Sequence, residues 1–269
     1  MANWKNKVVV VTGGSEGLGK TIGIEFASRG AQVVLLARNQ DKLTAVVESA
    51  RSSDLEIDYV VADVTQDSEV ESALKQIIEK HQRIDIWINN VGKSTRVRLE
   101  DCKVEDYKAQ IEINFYSAVR CTLAVLDHLT ASCGQVVNIG SLASKTGWPN
   151  VAPYSASKHA LTAFCHQMRL EGPANVNCLH VCTGPIRRAD AGSRYQEQAA
   201  TMGDAAAQPG AGVKLKGIEP EWLAAKIIRA CEKRKSELVV PGYSRILFAI
   251  TQLSPSLGDF LLRRSSKKG

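Results

Sequence analysis

Apolar residues fall along the chain in two alternating patterns. Short continuous runs at 7–12, 32–37, 58–62, 84–88, 135–140, 176–181 and 237–240 read as strands covered on both faces, as in parallel sheets. Between them apolar positions recur at helical spacing. Leu18, Ile22 and Phe26 share one face of a helix that Gly30 stops, and helical patterns follow over 39–53, 66–81, 104–129, 153–170 and 219–233. Strand and helix alternate with no linker and no short repeat. This predicts a single doubly wound α/β domain over 1–269, with a mostly parallel seven-stranded sheet and helices on both faces.

Two stretches stand outside the alternation. Residues 186–218 are long, rich in Ala and Gly and weakly patterned, which predicts a functional loop or substrate lid. In the tail, 244–269, apolar residues from Ile246 to Leu262 precede Arg263, Arg264, Lys267 and Lys268. Such a tail either packs on the body or a subunit, which is preferred, or touches an anionic membrane surface. Pro255 and Gly258 are expected to break it, against one continuous helix.

Composition narrows the class. Hydrophobic residues at 44% and charged residues at 23% are ordinary for a folded globular chain. The net charge of +6 gathers at 233–235 and in the C-terminal tail without any nucleic-acid motif, so solvated clusters are expected and no nucleic-acid partner. Seven cysteines, odd in number and without a Cys-x-x-Cys pair, fit reduced thiols; neither a disulfide framework nor a metal site is expected. No run reaches the ~18 apolar residues of a membrane span, and a strand follows the first residues with no room for a signal peptide. A cytoplasmic location, peripheral to a membrane at most, is the expectation.

The candidate chemistry starts at Thr12-Gly13-Gly14-Ser15-Glu16-Gly17-Leu18-Gly19, between the first strand and the first helix. Glycines there let backbone approach a pyrophosphate, which sits at the helix N-terminus; a tight turn without ligand is the alternative. Gly19 and Gly23 also allow the helix to pack close on the sheet. The second strand ends in Ala37-Arg38-Asn39, with no carboxylate for a ribose 2′-OH. Arg38 suits a 2′-phosphate, pointing to NADP(H), unless it is a solvated loop charge.

Tyr154 and Lys158 lie one helical turn apart on one face, with Pro153 suited to the first turn. The ammonium is expected to lower the phenol pKa from about 10 toward working pH, making Tyr154 a proton donor and acceptor. Ser141, after the fifth strand, is placed to present a hydroxyl to the same substrate oxygen. Asn114, in the middle of a helical pattern, marks a kink or an internal task, or faces solvent.

These residues in this order resemble the short-chain dehydrogenase/reductase family over nearly the whole chain. The glycine spacing at Thr12–Gly19 is similar to the family's Thr-Gly-x-x-x-Gly-x-Gly subgroup, and Asn89-Asn90-Val91-Gly92 to its Asn-Asn-Ala-Gly. The resemblance implies a Rossmann-type fold and a catalytic tetrad of Asn114, Ser141, Tyr154 and Lys158. Tyr154 would protonate an alkoxide as NADPH delivers hydride, Ser141 would hold that oxygen, and Lys158 would bond the nicotinamide ribose. Asn114 would hold a water that links Lys158 to solvent. Asp63 and Val64 would contact adenine and Asn90 and Gly92 would border the cofactor; Gly13, Ser15, Glu16, Gly17, Leu18, Gly19, Gly184 and Ile186 complete the implied set.

One departure stands after the sixth strand, where Thr183 occupies the family's proline position and Arg188 that of a threonine that holds the nicotinamide amide. Arg187 and Arg188 then either bind an anionic substrate or the cofactor diphosphate, or stay solvated. Trp148, Pro149 and Val151 are expected to line an apolar pocket for a lipid, acyl or steroid-like ketone. The 37–43 segment and the tail look like the branch acting on long-chain keto-lipids such as 3-ketosphinganine, with the 3-oxoacyl reductase branch beside it. The resemblance also implies a homodimer or homotetramer. A silent NADP(H)-binding sensor or scaffold is the rival class, although it would have no need of all four tetrad residues.

Overall fold

The computed structural model describes residues 4–188 and 215–265, with Tyr195, Gln196, Met202 and Gly210 between them. Seven strands form one parallel sheet: β1 (Val8–Thr12), β2 (Gln32–Ala37), β3 (Ile57–Val61), β4 (Ile86–Asn89), β5 (Gln135–Ile139), β6 (Asn177–Thr183) and β7 (Glu237–Val240). Their order is β3-β2-β1-β4-β5-β6-β7. The four valines of β1 are fully buried, because helices cover both faces of the sheet. Burying each such side chain contributes about 1.5–3 kcal/mol.

Helices α1 (Gly17–Ala27), α2 (Gln40–Arg51), α3 (Asp67–His81), α4 (Val104–Ile111), α5 (Ser117–Ser132), α6 (Ala152–Glu171) and α7 (Pro220–Glu232) connect or flank the strands. Strands 32–37 and 237–240 have the expected bounds, and the others shift by one or two residues. On one face Leu18, Ile22 and Phe26 of α1 pack with α7 residues such as Ile227 and Ile228; on the other Val70, Ile77, Val125 and Leu161 meet Trp87.

The sheet topology positions the site. The chain leaves β1 in one direction, through β2 to β3, and resumes on the other side at β4. At such a switch point the loops beyond the strand ends diverge and leave a crevice. Thr12, Asn89, Ile139 and Thr183 stand at that edge.

The predicted helix over 104–129 is interrupted: Glu112–Tyr116 winds as a π-helix between α4 and α5. The tail folds into α8 (Ser244–Leu253) and α9 (Pro255–Ser265). The stretch breaks before Pro255, as expected, but Gly258 breaks nothing. A side chain at Gly258 would come 2.7 Å from the Thr251 Cα, so its missing Cβ lets α9 pack on α8. Phe248 packs on the body with Leu142 and Trp148, as the preferred reading expected, while Ile246, Leu253, Leu257 and Phe260 remain exposed. Among the described residues no helix is long and apolar enough to cross a membrane.

Candidate active site

The glycine turn joins β1 to α1. Gly13 and Gly17 have φ of +65° and +54°, a region open to glycine at little cost. A Cβ at Gly19 would stand 2.3 Å from the Gly13 carbonyl oxygen, and one at Gly23 would stand 2.6 Å from Leu35. Gly23 therefore serves close packing on the sheet, as expected. Gly19 instead serves the turn itself. Asn90 clamps it further, its amide donating to the carbonyls of Thr12 (3.0 Å) and Gly13 (3.3 Å). Thr12 Oγ1 bonds the Ile88 carbonyl and accepts from Asn90 N, tying β1 to the end of β4. The N-cap residue Glu16 makes no side-chain capping bond to the first turn of α1, a helix N-terminus suited to a diphosphate. The Arg188 guanidinium stands 3.7–3.8 Å from where a Gly17 side chain would project, so a cation faces that same turn.

The crevice is a cavity of about 540 Å³. Arg38, Asn39, Lys42, Asp63 and Val64 line one end. Arg38 Nη1 is 3.3 Å from Asp63, with its side chain 74% exposed, and Lys42 Nζ is 2.6 Å from Glu16. Burial opposes ionisation of Asp63, but hydrogen bonds from Thr65 and the Arg38 cation outweigh it and hold the carboxyl below its ordinary range.

Ser141, Tyr154 and Lys158 meet at the other end. Ser141 follows β5, and its hydroxyl favours the ionised form of the Tyr154 phenol; Ser144 Oγ accepts from the Ser141 backbone N–H at 2.9 Å, fixing the turn. Tyr154 and Lys158 lie in the first two turns of α6, and Lys158 Nζ donates to the Ile139 carbonyl at 2.9 Å. Asn114 is 1% exposed in the π-helix, where the widened turn carries its amide inward. The amide accepts from Lys93 N (2.9 Å) and donates to Lys93 O, Gln110 and Ser157. A Cβ on Gly92 would meet both Asn114 Oδ1 (2.8 Å) and Lys158 Nζ (3.3 Å), so glycine lets the two groups approach.

A short-chain dehydrogenase family model matches residues 7–199. The chain belongs to the short-chain dehydrogenase family. Dehydrogenase/reductase SDR family member 7B of Xenopus laevis is 32% identical over 97% of this chain and 82% of its own length. An alcohol dehydrogenase from the archaeon Thermococcus sibiricus, complexed with 5-hydroxy-NADP, superposes with a TM-score of 0.73 at 26% identity, over 87% of this chain and 95% of that one. A short-chain dehydrogenase/reductase from Burkholderia phymatum in complex with NAD shares the fold, at TM-score 0.81 and 20% identity over 96% of both chains. The chain spans 60% to 84% of the length of the curated relatives it matches. Short-chain dehydrogenases are oxidoreductases that work with a nicotinamide cofactor, and the glycine turn, the N-terminus of α1 and the long crevice fit one.

Within this family frame most expected residues come together. Gly13, Ser15, Glu16, Leu18, Arg38, Asp63, Val64, Asn90, Gly92, Gly184 and Ile186 line the cavity with Ser141, Tyr154 and Lys158. Gly17 and Gly19 shape the turn without lining the cavity, and Asn114 sits behind Gly92. Arg187 is turned away, ion-paired with Glu219, whereas Arg188 lines the cavity. Trp148 and Val151 form the expected apolar wall, but exposed Pro149 is not part of it. Most of the expected lid lies outside the described residues. Its ends are clipped by a bridge between Ile186 and Ile218, and Tyr195, Gly210 and Leu215 reach the cavity.

The electrostatics correct one expectation. Tyr154 is not lowered by Lys158: burial raises its pKa above 10, opposed by the Ser141 hydroxyl and the Arg96 charge. Lys158 stands 5.9 Å from the Tyr154 ring centroid and is engaged by Ile139, while burial lowers its own pKa to about 8. Sequence reasoning also missed Arg96, Ser94 and Tyr195. Ser94 and Arg96 lie in a loop with no periodic signal, where only the position of Arg96 four residues after the Asn-Asn-Val-Gly turn pointed to the crevice edge, and Tyr195 was covered only by the expected lid over 186–218.

His180, Cys182 and Glu237 bring potential metal-ligating atoms within 4.8 Å of one another. Lys145 and Arg245 already neutralise Glu237, at 2.6 and 3.0 Å, and burial raises the Cys182 thiol to about 12. The cluster disfavours a cation.

Proposed function

We propose that the protein reduces a ketone on an apolar substrate to a secondary alcohol, with NADPH as the cofactor and Tyr154 as the proton donor. The observation that carries this reading is the meeting of the Ser141 hydroxyl, the Tyr154 phenol and the buried Lys158 ammonium at one end of a crevice that begins at the glycine turn. NADPH supplies hydride to the carbonyl carbon when bound. Ser141 orients the carbonyl oxygen and stabilises the charge that grows there. Tyr154 gives that oxygen its proton, and Lys158 places positive charge beneath both. Trp148, Val151 and Leu215 exclude water from the reacting end.

The test is NADPH oxidation, followed optically, with ketones ranging from 3-oxoacyl thioesters to 3-ketosphinganine. Turnover supports the reading; tight NADPH binding without turnover of any ketone removes it and favours a sensor.

Arg38 supports NADPH over NADH, since the end of β2 offers a cation and no carboxylate. Arg38→Gln is expected to raise the KM for NADPH about 10- to 100-fold, the worth of a charge-assisted phosphate contact, and to leave NADH little changed. Steady-state kinetics with both cofactors check this, and equal effects on the two would refute it. Arg188, facing the α1 N-terminus, suits the diphosphate that both cofactors share. Arg188→Met is therefore expected to weaken NADPH and NADH alike, by about 10-fold in a fluorescence titration.

A further inference from the structure

The substrate end of the cavity has one strongly polar corner. Val97 N donates to the Asn150 carbonyl at 3.1 Å, and Val97 pairs with Val151 in an isolated parallel bridge. This runs the segment after Gly92 alongside the chain entering α6 and sets Arg96 on the Tyr154 side of the cavity, only 5% exposed. The Arg96 guanidinium stacks 4.1 Å from the Tyr195 ring centroid, and Nη1 donates to Ser94 Oγ at 3.1 Å and to the Thr95 carbonyl at 3.1 Å. Ser94 Oγ and Tyr195 Oη are 2.9 Å apart. A guanidinium and two hydroxyls thus converge beside the apolar wall of Trp148, Val151 and Leu215.

A buried guanidinium that lines a ligand cavity, with two hydroxyls beside it, favours an anionic group on the ligand. A carboxylate supplies one. Its planar oxygens match the guanidinium fork and accept from hydroxyls, while the rest of the ligand lies on the apolar wall. We propose that Arg96, with Ser94 and Tyr195, forms a carboxylate-binding corner and that the substrate is an apolar keto acid. This rests on the ketone-reductase reading and specifies its substrate. Val97 pairs with Val151, three residues before Tyr154, so the carboxylate and the carbonyl lie on the same side of the cavity. In the reaction the carbonyl carbon gains a hydride and its oxygen the Tyr154 proton, balanced by oxidation of NADPH to NADP+. The carboxylate is unchanged throughout.

The test pairs 2-, 3- and 4-oxo acids of medium chain length with their methyl esters, read by turnover and, in the presence of NADP+, by thermal stabilisation. The wild type is expected to favour the best acid over its ester by about 100-fold in kcat/KM, as for a site built around a charged group. The acid, not the ester, should raise the melting temperature. Arg96→Met should bring the ratio near one and abolish the stabilisation, with partial recovery in Arg96→Lys. Acid and ester treated alike by the wild type, or a preference that survives Arg96→Met, would overturn the proposal. If Arg96→Met does not fold, Tyr195→Phe and Arg96→Lys decide: an acid-to-ester ratio unchanged in both also overturns it. Stabilisation by the acid through Arg96 without turnover of any ketone would sink the reductase reading and leave the carboxylate corner standing. Turnover of esters as fast as acids would do the reverse.

Discussion

Tyr154→Phe is expected to lower kcat/KM for ketone reduction by about 10³-fold, within the range of positioned general acid–base groups. The substitution keeps the ring and its packing and removes only the hydroxyl, so thermal stability should change by no more than about 1 kcal/mol. Burial holds the phenol above its usual pKa of 10, so at neutral pH Tyr154 is protonated, the form that reduction requires. Ser141 survives in the variant but lacks a positioned proton to give. Single-turnover measurement of NADPH oxidation isolates the step from product release. A variant that keeps more than about a tenth of the wild-type rate would show that another group protonates the alkoxide.

Lys158→Met carries the second large effect, an expected loss of about 10²-fold or more in kcat/KM. The ammonium is buried at the base of the reacting end, bonded to the Ile139 carbonyl and close to Gly92. Removing it takes a buried positive charge from the reacting end and leaves the Ile139 oxygen without this donor. The pH dependence follows from the lowered pKa of about 8. Below pH 8 Lys158 carries its proton and the site is competent; as pH rises through 8 the proton is lost and reduction should fall. The profile of kcat/KM reports the free enzyme, so an alkaline limb near pH 8 is expected in the wild type and absent in Lys158→Met. A wild-type profile flat to pH 10 would show that the Lys158 charge does not govern the step.

Much of the fold was legible because its signals are local. The valine run of β1 is a strand since both its faces are covered, and Leu18, Ile22 and Phe26 recur at the spacing that puts them on one helix face. The break at Asn114 was legible only as a polar residue in an apolar pattern. That it widens into a π-turn depends on Lys93, Gln110 and Ser157, which come from different segments. The tail was half legible: Pro255 interrupts a helix because its ring removes a backbone donor, but the role of Gly258 depends on Thr251 lying opposite.

The sequence by itself determined the alternating architecture, the glycine turn into α1, the cation at the end of β2 and the Tyr154–Lys158 pair. Each is a pattern of residues a few positions apart, which short-range backbone geometry places on one strand end, turn or helix face. Only the tertiary structure decided which distant residues share the crevice and how they titrate. The parallel order brings the ends of β1, β4, β5 and β6 to one edge, so Arg96, Ser141 and Arg188 meet the glycine turn and Tyr154 there. Burial then raises the pKa of Tyr154 and lowers that of Lys158, because a desolvated group resists its charged form whatever its neighbours in sequence.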